Sequence, residues 1–191
     1  MRLIDDTITY LEMRAHPGGP RIHPPPGKIA LIQTEACTVS FYRYLYQAVG
    51  EPWLWYVRRE WDDAMLAALL ERATNEIFVL YVGGVPAGYF ELDASAARET
   101  EISYFGLVTE FIGRRLGAFL LRAAIDRAWA RPIDRLRLNT CTFDHPRALP
   151  TYQRAGFVVY DRRTVSFPDP RERGVLPRSY SHPLLPELGP I

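Results

Sequence analysis

Lysine is nearly missing from this chain. Lys28 is the single example, and the other 22 of the 23 basic residues are arginine. The arginines are spread evenly and are balanced by 22 acids to a net charge of +1. No large basic field is left to recruit nucleic acid or an anionic membrane. Cysteine is scarce as well. Cys37 and Cys141 lack C-x-x-C spacing, which points to neither a disulfide framework nor a zinc site, so each reads as a small buried residue and no metal is expected. No stretch approaches the ~20 apolar residues of a membrane span. The opening "MRLIDDTITYLEMR" carries acids early and has no apolar core, unlike a signal peptide, so the cytoplasm is the expected address. There is no G-x-x-x-x-G-K-[ST] and no G-x-G-x-x-G early in a βαβ unit, which sets aside a P-loop and a dinucleotide fingerprint.

What is present is ordinary globular material: 191 residues, 48% of them apolar and 24% charged, enough for one domain over 1–191 with a sizeable core. Residues 3–13 carry β-branched residues and read as a first strand. Residues 14–28 hold five prolines and three glycines, a long loop. Two helices follow. One spans 39–50 and ends on Gly50 at a C-cap position; the other spans 61–73, with acids in its first turn and Met65, Leu66, Leu69 and Leu70 on one stripe. Residues 76–93 are two β-runs around Gly83-Gly84, a hairpin signal. Strands are expected at 99–108, 134–143 and 157–167, and a short helix at 145–156 that Pro150 shortens or bends. The tail, 168–191, has six prolines and reads as irregular. This order predicts an α/β fold, a mixed central β-sheet flanked by helices, with 99–108 near the sheet's middle.

One segment asks for an explanation. "FIGRRLGAFLLRAAIDRAWA", 111–130, places Gly113 and Gly117 around Arg114 and Arg115 where a helix begins. Glycine is a poor helix former. The first turn of a helix, however, leaves amide N–H groups unpaired and carries partial positive charge. Glycines let a phosphate approach that backbone, and arginines suit its oxygens. The plain alternative is that Gly113 ends a loop and Gly117 lets the helix sit close to the sheet.

The wider context narrows the choice. "ISYFGLVTEFIGRRLGAFLLRAAIDRAW" and "LNTCTFDHPRALPTYQRAGFVVY" together resemble the GCN5-related N-acetyltransferase (GNAT) family. That family joins a central strand to a glycine-rich turn and helix, and later shows an A…Y…GF junction, here Ala148, Tyr152, Gly156 and Phe157. The resemblance runs over residues 76 to 165. The family's phosphate-binding pattern is Q/R-x-x-G-x-G/A. This chain has Ile112 at the first position and Arg115 where the central glycine stands, with Gly117 matching the last. His145 replaces a frequent asparagine.

The resemblance implies acetyl-CoA as the donor. Its pyrophosphate would rest on the backbone of Ile112, Gly113, Arg114, Arg115, Leu116, Gly117 and Ala118. Its pantetheine arm would lie where the central strand splays from its neighbour, beside Leu107 and Val108, and a backbone N–H there would stabilise an oxyanion. The acceptor would be a primary amine, either a small molecule or a protein N-terminus, attacking directly in a ternary complex. Tyr152 stands at the family's tyrosine position and would return a proton to the departing sulfur. Glu101, Glu91 and Glu110 are the carboxylates considered for accepting the amine's proton. Alternation puts Glu101, Ser103, Phe105 and Leu107 on one face, with Glu101 about 20 Å from Leu107 along the strand. His145 sits in what reads as a helix N-cap region. Trp53, Trp55, Trp61, Tyr42, Tyr44 and Tyr46 serve either as core or as an aromatic pocket for an ammonium. A non-catalytic acyl-CoA-binding module, a different acyl donor and a homodimer stay open.

Overall fold

The computed structural model describes residues 1–20 and 22–188. Arg21 of the expected loop and residues 189–191 of the expected tail lie outside the described residues. In chain order the elements are β1 (Leu3–Met13), β2 (Ile29–Gln33), α1 (Val39–Gly50), α2 (Asp63–Leu70), β3 (Asn75–Val82), β4 (Val85–Asp93), β5 (Glu99–Leu107), α3 (Leu116–Trp129), β6 (Arg135–Thr140), α4 (Ala148–Arg154) and β7 (Val158–Pro168). Short 3-10 turns occupy Glu51–Trp53, Val57–Arg59 and Thr109–Phe111.

Seven strands form one mixed sheet in the order β2-β3-β4-β5-β6-β1-β7, so β5 is the central strand, as expected. Among the described residues only β5 and β6 pair in parallel. β1 lies between β6 and β7 and runs antiparallel to both. Strand alternation divides the core into two faces. Phe90 and Leu92 of β4 face α3, where Leu116, Leu120, Leu121, Ala124, Ile125 and Ala128 form one buried stripe. Tyr89 faces the other way, toward Tyr42, Leu45, Tyr46 and Val49 of α1.

Local chemistry explains where the observed boundaries depart from the expected ones. α2 starts two residues late because the Asp62 side chain accepts from the Met65 N–H at 2.8 Å, capping the helix. α4 is shorter than the expected 145–156, running from Ala148 to Arg154 with Pro150 as its third residue. The proline lies in the first turn, where its missing N–H has no intrahelical acceptor to lose. Gly50 is not a left-handed cap. It is the last residue of α1, and an added Cβ would come within 2.4 Å of the Trp55 ring. β2 was not anticipated. It is a mostly exposed five-residue edge strand with no apolar alternation to mark it. Cys37 and Cys141 are free and only half-buried, not fully buried.

Residues 169–188 hold no helix or strand, yet they are anchored. Arg171 is buried against buried Asp169, and its guanidinium also donates to the Tyr180 and Pro186 carbonyls. Leu176 and Leu185 pack with Ile4, Leu54 and Phe143. The segment thereby covers the α1–α2 connection and the loop after β6, both of which line the candidate site.

The far end of α3 is fixed by charge. Buried Glu76 of β3 takes hydrogen bonds from Arg127, at 3.0 Å through Nε, and an ion pair from Arg131 at 2.9 Å. These partners outweigh burial and hold its carboxyl below the usual glutamate range. A depressed folded-state pKa contributes stability above the unfolded value and loses it as pH falls through the folded value. Glu76→Gln is therefore expected to cost about 1–3 kcal/mol near neutrality and progressively less in acid, read by denaturant unfolding at several pH values.

Candidate functional site

β5 and β6 pair at only three positions: Glu99 with Arg135, Thr100 with Leu136 and Glu101 with Arg137. Beyond Glu101 the two strands share no ladder, although β6 continues to pair with β1 as far as Thr140. The closed end is zipped by ion pairs: Arg135 to Glu99 at 3.1 Å, and Arg137 to Glu99 at 2.7 Å and to Glu101 at 2.9 Å. The other end is open, so half of the backbone groups of β5 from residue 102 onward face a gap.

The ladder on the opposite side identifies which ones. Gly88 stands opposite Leu107, and the Val108 N–H donates to the Ala87 carbonyl at 2.9 Å. Antiparallel neighbours alternate between bonded and non-bonded pairs. Since Val108 is bonded to β4, the N–H of Leu107 points away from β4 and into the gap. Of the two residues expected beside a thioester, Leu107 offers a free donor. Val108 does not, because its N–H is already held by the Ala87 carbonyl.

A bulge changes the faces of β5. Glu91 pairs with Tyr104 and Leu92 with Ile102, leaving Ser103 as the extra residue. Ile102, Phe105 and Leu107 face α3, whereas Tyr104 and Val108 face α1. Glu101, next to Ile102, therefore lies on the α1 face. It does not share a face with Phe105 and Leu107, as strict alternation predicts. Burial pushes its carboxyl up despite Arg137.

After β5 the chain makes the 3-10 turn Thr109–Phe111 and then two left-handed residues, Gly113 at φ +84° and Arg115 at φ +63°. α3 begins only at Leu116, so Gly113 belongs to the loop and Gly117 to the first helical turn. Arg115 is the N-cap residue, and among the described residues no side chain caps the helix. The first amides of α3, those of Leu116, Gly117 and Ala118, thus lack a side-chain acceptor. Arg114 is exposed, with its guanidinium 4.9 Å from the centre of the Phe111 ring. Arg115 adopts the conformation for which glycine is the usual residue, so the turn keeps its path without the glycine.

Tyr152 of α4 lies across the gap. Its ring meets Phe105 of β5 at 6.0 Å and Phe157 at 6.2 Å, both edge-on. Burial, with the nearby Asp144 charge, raises its phenol pKa well above the ordinary value. Asp144 is the residue that sequence reasoning missed. It follows β6, and its Oδ2 accepts from Thr140 Oγ1 at 2.7 Å and from the Cys141 N–H at 3.0 Å. Its Oδ1 faces the Trp55 indole N–H at 3.4 Å. Trp55 in turn packs on Tyr104 at 5.0 Å, so this one side chain spans the open end of the gap. Gly106 lets β5 lie close to α1, because a Cβ there would fall 2.5 Å from Val49. The sequence offered a faint signal for Asp144, an acid just after a strand and before His145-Pro146, and it read as part of a helix start.

The other candidates are placed apart. Glu91 is fully buried, accepts from the Tyr42 hydroxyl at 2.7 Å and pairs with Arg58 at 3.4 Å. Glu110 is exposed within the Thr109–Phe111 turn. His145 accepts the Arg147 N–H on Nδ1 at 3.0 Å and touches Trp53, as a residue shaping a helix start does. Of the aromatics, Tyr42 and Tyr46 are core, and Tyr46 and Trp55 both pack on Tyr104. Trp61 lies 3.9 Å from the Arg58 guanidinium and Tyr44 is exposed. Among the described residues no cluster of three or more metal-ligating side chains occurs, and no helix is long and apolar enough to cross a membrane.

Residues 40–157 match the family model described as the acetyltransferase (GNAT) family. The fold is similar to that of a GCN5-related N-acetyltransferase from Sphaerobacter thermophilus, with TM-score 0.60 and 19% identity over 86% of this chain and 51% of that one. A GNAT-family protein from Novosphingobium aromaticivorans gives TM-score 0.59 and 20% identity over 86% of this chain and 65% of its own. A GCN5-related N-acetyltransferase from Kribbella flavida gives 0.58 and 17% over 86% and 58%. The chain thus spans about half to two thirds of the length of these proteins. No curated protein sequence matches it.

The strained turn makes its own expectation. Arg115→Gly relieves a left-handed side chain at an exposed site and is expected to stabilise the fold by roughly 0.5–1 kcal/mol, net of the backbone entropy glycine adds. Arg115→Val, β-branched at positive φ, is expected to destabilise it. Urea unfolding of the two variants checks both signs.

Proposed function

The chain belongs to the acetyltransferase (GNAT) family, and from that footing we propose that it moves an acetyl group from acetyl-CoA to a primary amine, with both substrates bound at once. The observation that carries this proposal is the alignment of two unpaired backbone features on one crossover. The gap beside Leu107 leads through the turn at residues 109–115 to the uncapped amides of α3.

The residues fit that donor. A linear pantetheine arm suits a gap edged by free strand N–H and C=O groups, and a diphosphate suits amides at a helix mouth. Gly113 and left-handed Arg115 hold the turn open, and Arg114 and Arg115 supply exposed cations. Acetyl-CoA supplies the acetyl group as a thioester. The Leu107 N–H donates to the carbonyl oxygen as negative charge collects there. Tyr152, kept protonated by its burial, donates its phenolic proton to the sulfur. The Trp55 and Tyr104 rings wall the α1 side of the gap, from which the amine enters.

Two measurements test this. Acetyl-CoA at 100 times its Kd is expected to add about 2.7 kcal/mol of stability, a rise in Tm of roughly 5–10 °C. No shift with either acetyl-CoA or CoA removes the proposal. Tyr152→Phe is expected to lower kcat by about 100-fold or more while leaving the Kd for acetyl-CoA unchanged. A full-rate variant removes the acid from the scheme.

A further inference from the structure

We propose that Asp144 receives the acceptor's ammonium group and takes its proton, with the half-buried Trp55 and Tyr104 rings as the wall the ammonium rests on; this builds on the acetyltransferase reading above. The acceptor is then an aliphatic amine that arrives charged.

The first support is an imbalance at Asp144. Its Oδ2 is occupied by Thr140 and Cys141, but Oδ1 has only the indole N–H at 3.4 Å, beyond the usual range for such a bond. No cation pairs with it among the described residues, in a chain with 22 arginines. The groups that face it are Asp6 from β1, the Cys141 thiol, Tyr152 from α4 and Trp55 from the α1–α2 connection. None is positive. The neighbouring His145 ring is engaged with the Arg147 N–H and Trp53. A half-buried carboxylate without a counter-charge is costly, and burial raises its pKa. The turn it closes needs only one acceptor oxygen, which asparagine or serine supplies. The charge is surplus to that structural task.

The second support is the surface beside it. Trp55 and Tyr104, both half-buried, lie 5.0 Å apart, backed by the buried Tyr46 at 5.1 Å from Tyr104, and Tyr104 already holds the Arg58 guanidinium 5.4 Å from its ring centre. Such rings attract an ammonium through their faces. Two rival acids are spent, Glu91 on Arg58 and Tyr42 and Glu101 on Arg137, and the third, Glu110, is exposed in the turn after β5. In the reaction, Asp144 Oδ1 takes one proton from the ammonium. The freed nitrogen lone pair forms the C–N bond, and the C–S bond breaks. Tyr152 gives its proton to the sulfur and regains one from the new amide nitrogen. Asp144 then yields its proton to water, so one ammonium and one thioester become one amide, one thiol and one proton.

The test compares thiol release from acetyl-CoA by the full chain with two amines at about pH 7: benzylamine, which is mostly charged, and aniline, which is neutral. Asp144→Asn is expected to slow the benzylamine reaction by about 100-fold or more and the aniline reaction by less than about threefold. The remaining benzylamine rate should climb about tenfold per pH unit as free amine accumulates. Equal losses with both amines, or no loss, overturn the assignment. If the asparagine variant fails to bind acetyl-CoA, Asp144→Glu decides: a benzylamine-to-aniline rate ratio near the wild type's supports a carboxylate proton acceptor, and a collapsed ratio overturns it. A wild-type chain active on aniline but not benzylamine overturns Asp144 alone. One that binds acetyl-CoA yet acetylates neither amine overturns the acetyltransferase reading, and this assignment with it.

Discussion

A parallel ladder that ends after three residues is the constraint on which the rest depends. Parallel strands normally stay paired because an unsatisfied backbone N–H or C=O away from water is costly. Here β5 and β6 are held together at one end by four side chains in ion pairs, Glu99 and Glu101 against Arg135 and Arg137. They are held apart at the other end by rings: Tyr152 against Phe105 on one face, Trp55 against Tyr104 on the other. The chain therefore keeps a slot lined by polar backbone in the middle of its sheet. A ligand with its own amides can replace the missing strand. Glu101 belongs to the closing end of this device, which explains why a carboxylate on the central strand is tied to an arginine.

The slot works only if its two walls stay in register, and the irregular segments do that. Leu54 is left-handed at φ +58°, a strained setting for a leucine, and its N–H is held by the Tyr180 hydroxyl at 2.9 Å. It immediately precedes Trp55. Arg173 pairs with Glu60 at 2.6 Å, further along the same connection. On the other wall, the His182 and Phe143 rings meet at 5.3 Å, next to Asp144. The segment after β7 thus braces both Trp55 and Asp144, and a proline-rich stretch becomes part of the site's support.

The fold was legible because its signals are local. The β-run in 99–108, the hairpin glycines and the stripe on α3 each needed only a short window of sequence. The α3 turn was legible as well, since Gly113, Arg114 and Arg115 stand next to one another. What stayed hidden depends on distant partners. The bulge at Ser103 is set by how β5 meets β4, and it moved Glu101 to the face opposite the one its spacing suggests. Gly50 looked like a helix stop because its true reason, the Trp55 ring, lies across a turn. Asp144 was invisible as a charge in a cleft because being unpaired is a statement about every arginine that does not reach it.

The most direct measurement is amide hydrogen exchange at Leu107 and at Leu116 to Ala118, with and without acetyl-CoA. A backbone edge kept open for a ligand exchanges quickly in the free protein, and those amides alone gain strong protection when the ligand binds. Slow exchange at Leu107 in the free protein, or protection unchanged by acetyl-CoA, would mean that the strand edge is already satisfied and that the slot is not a binding site.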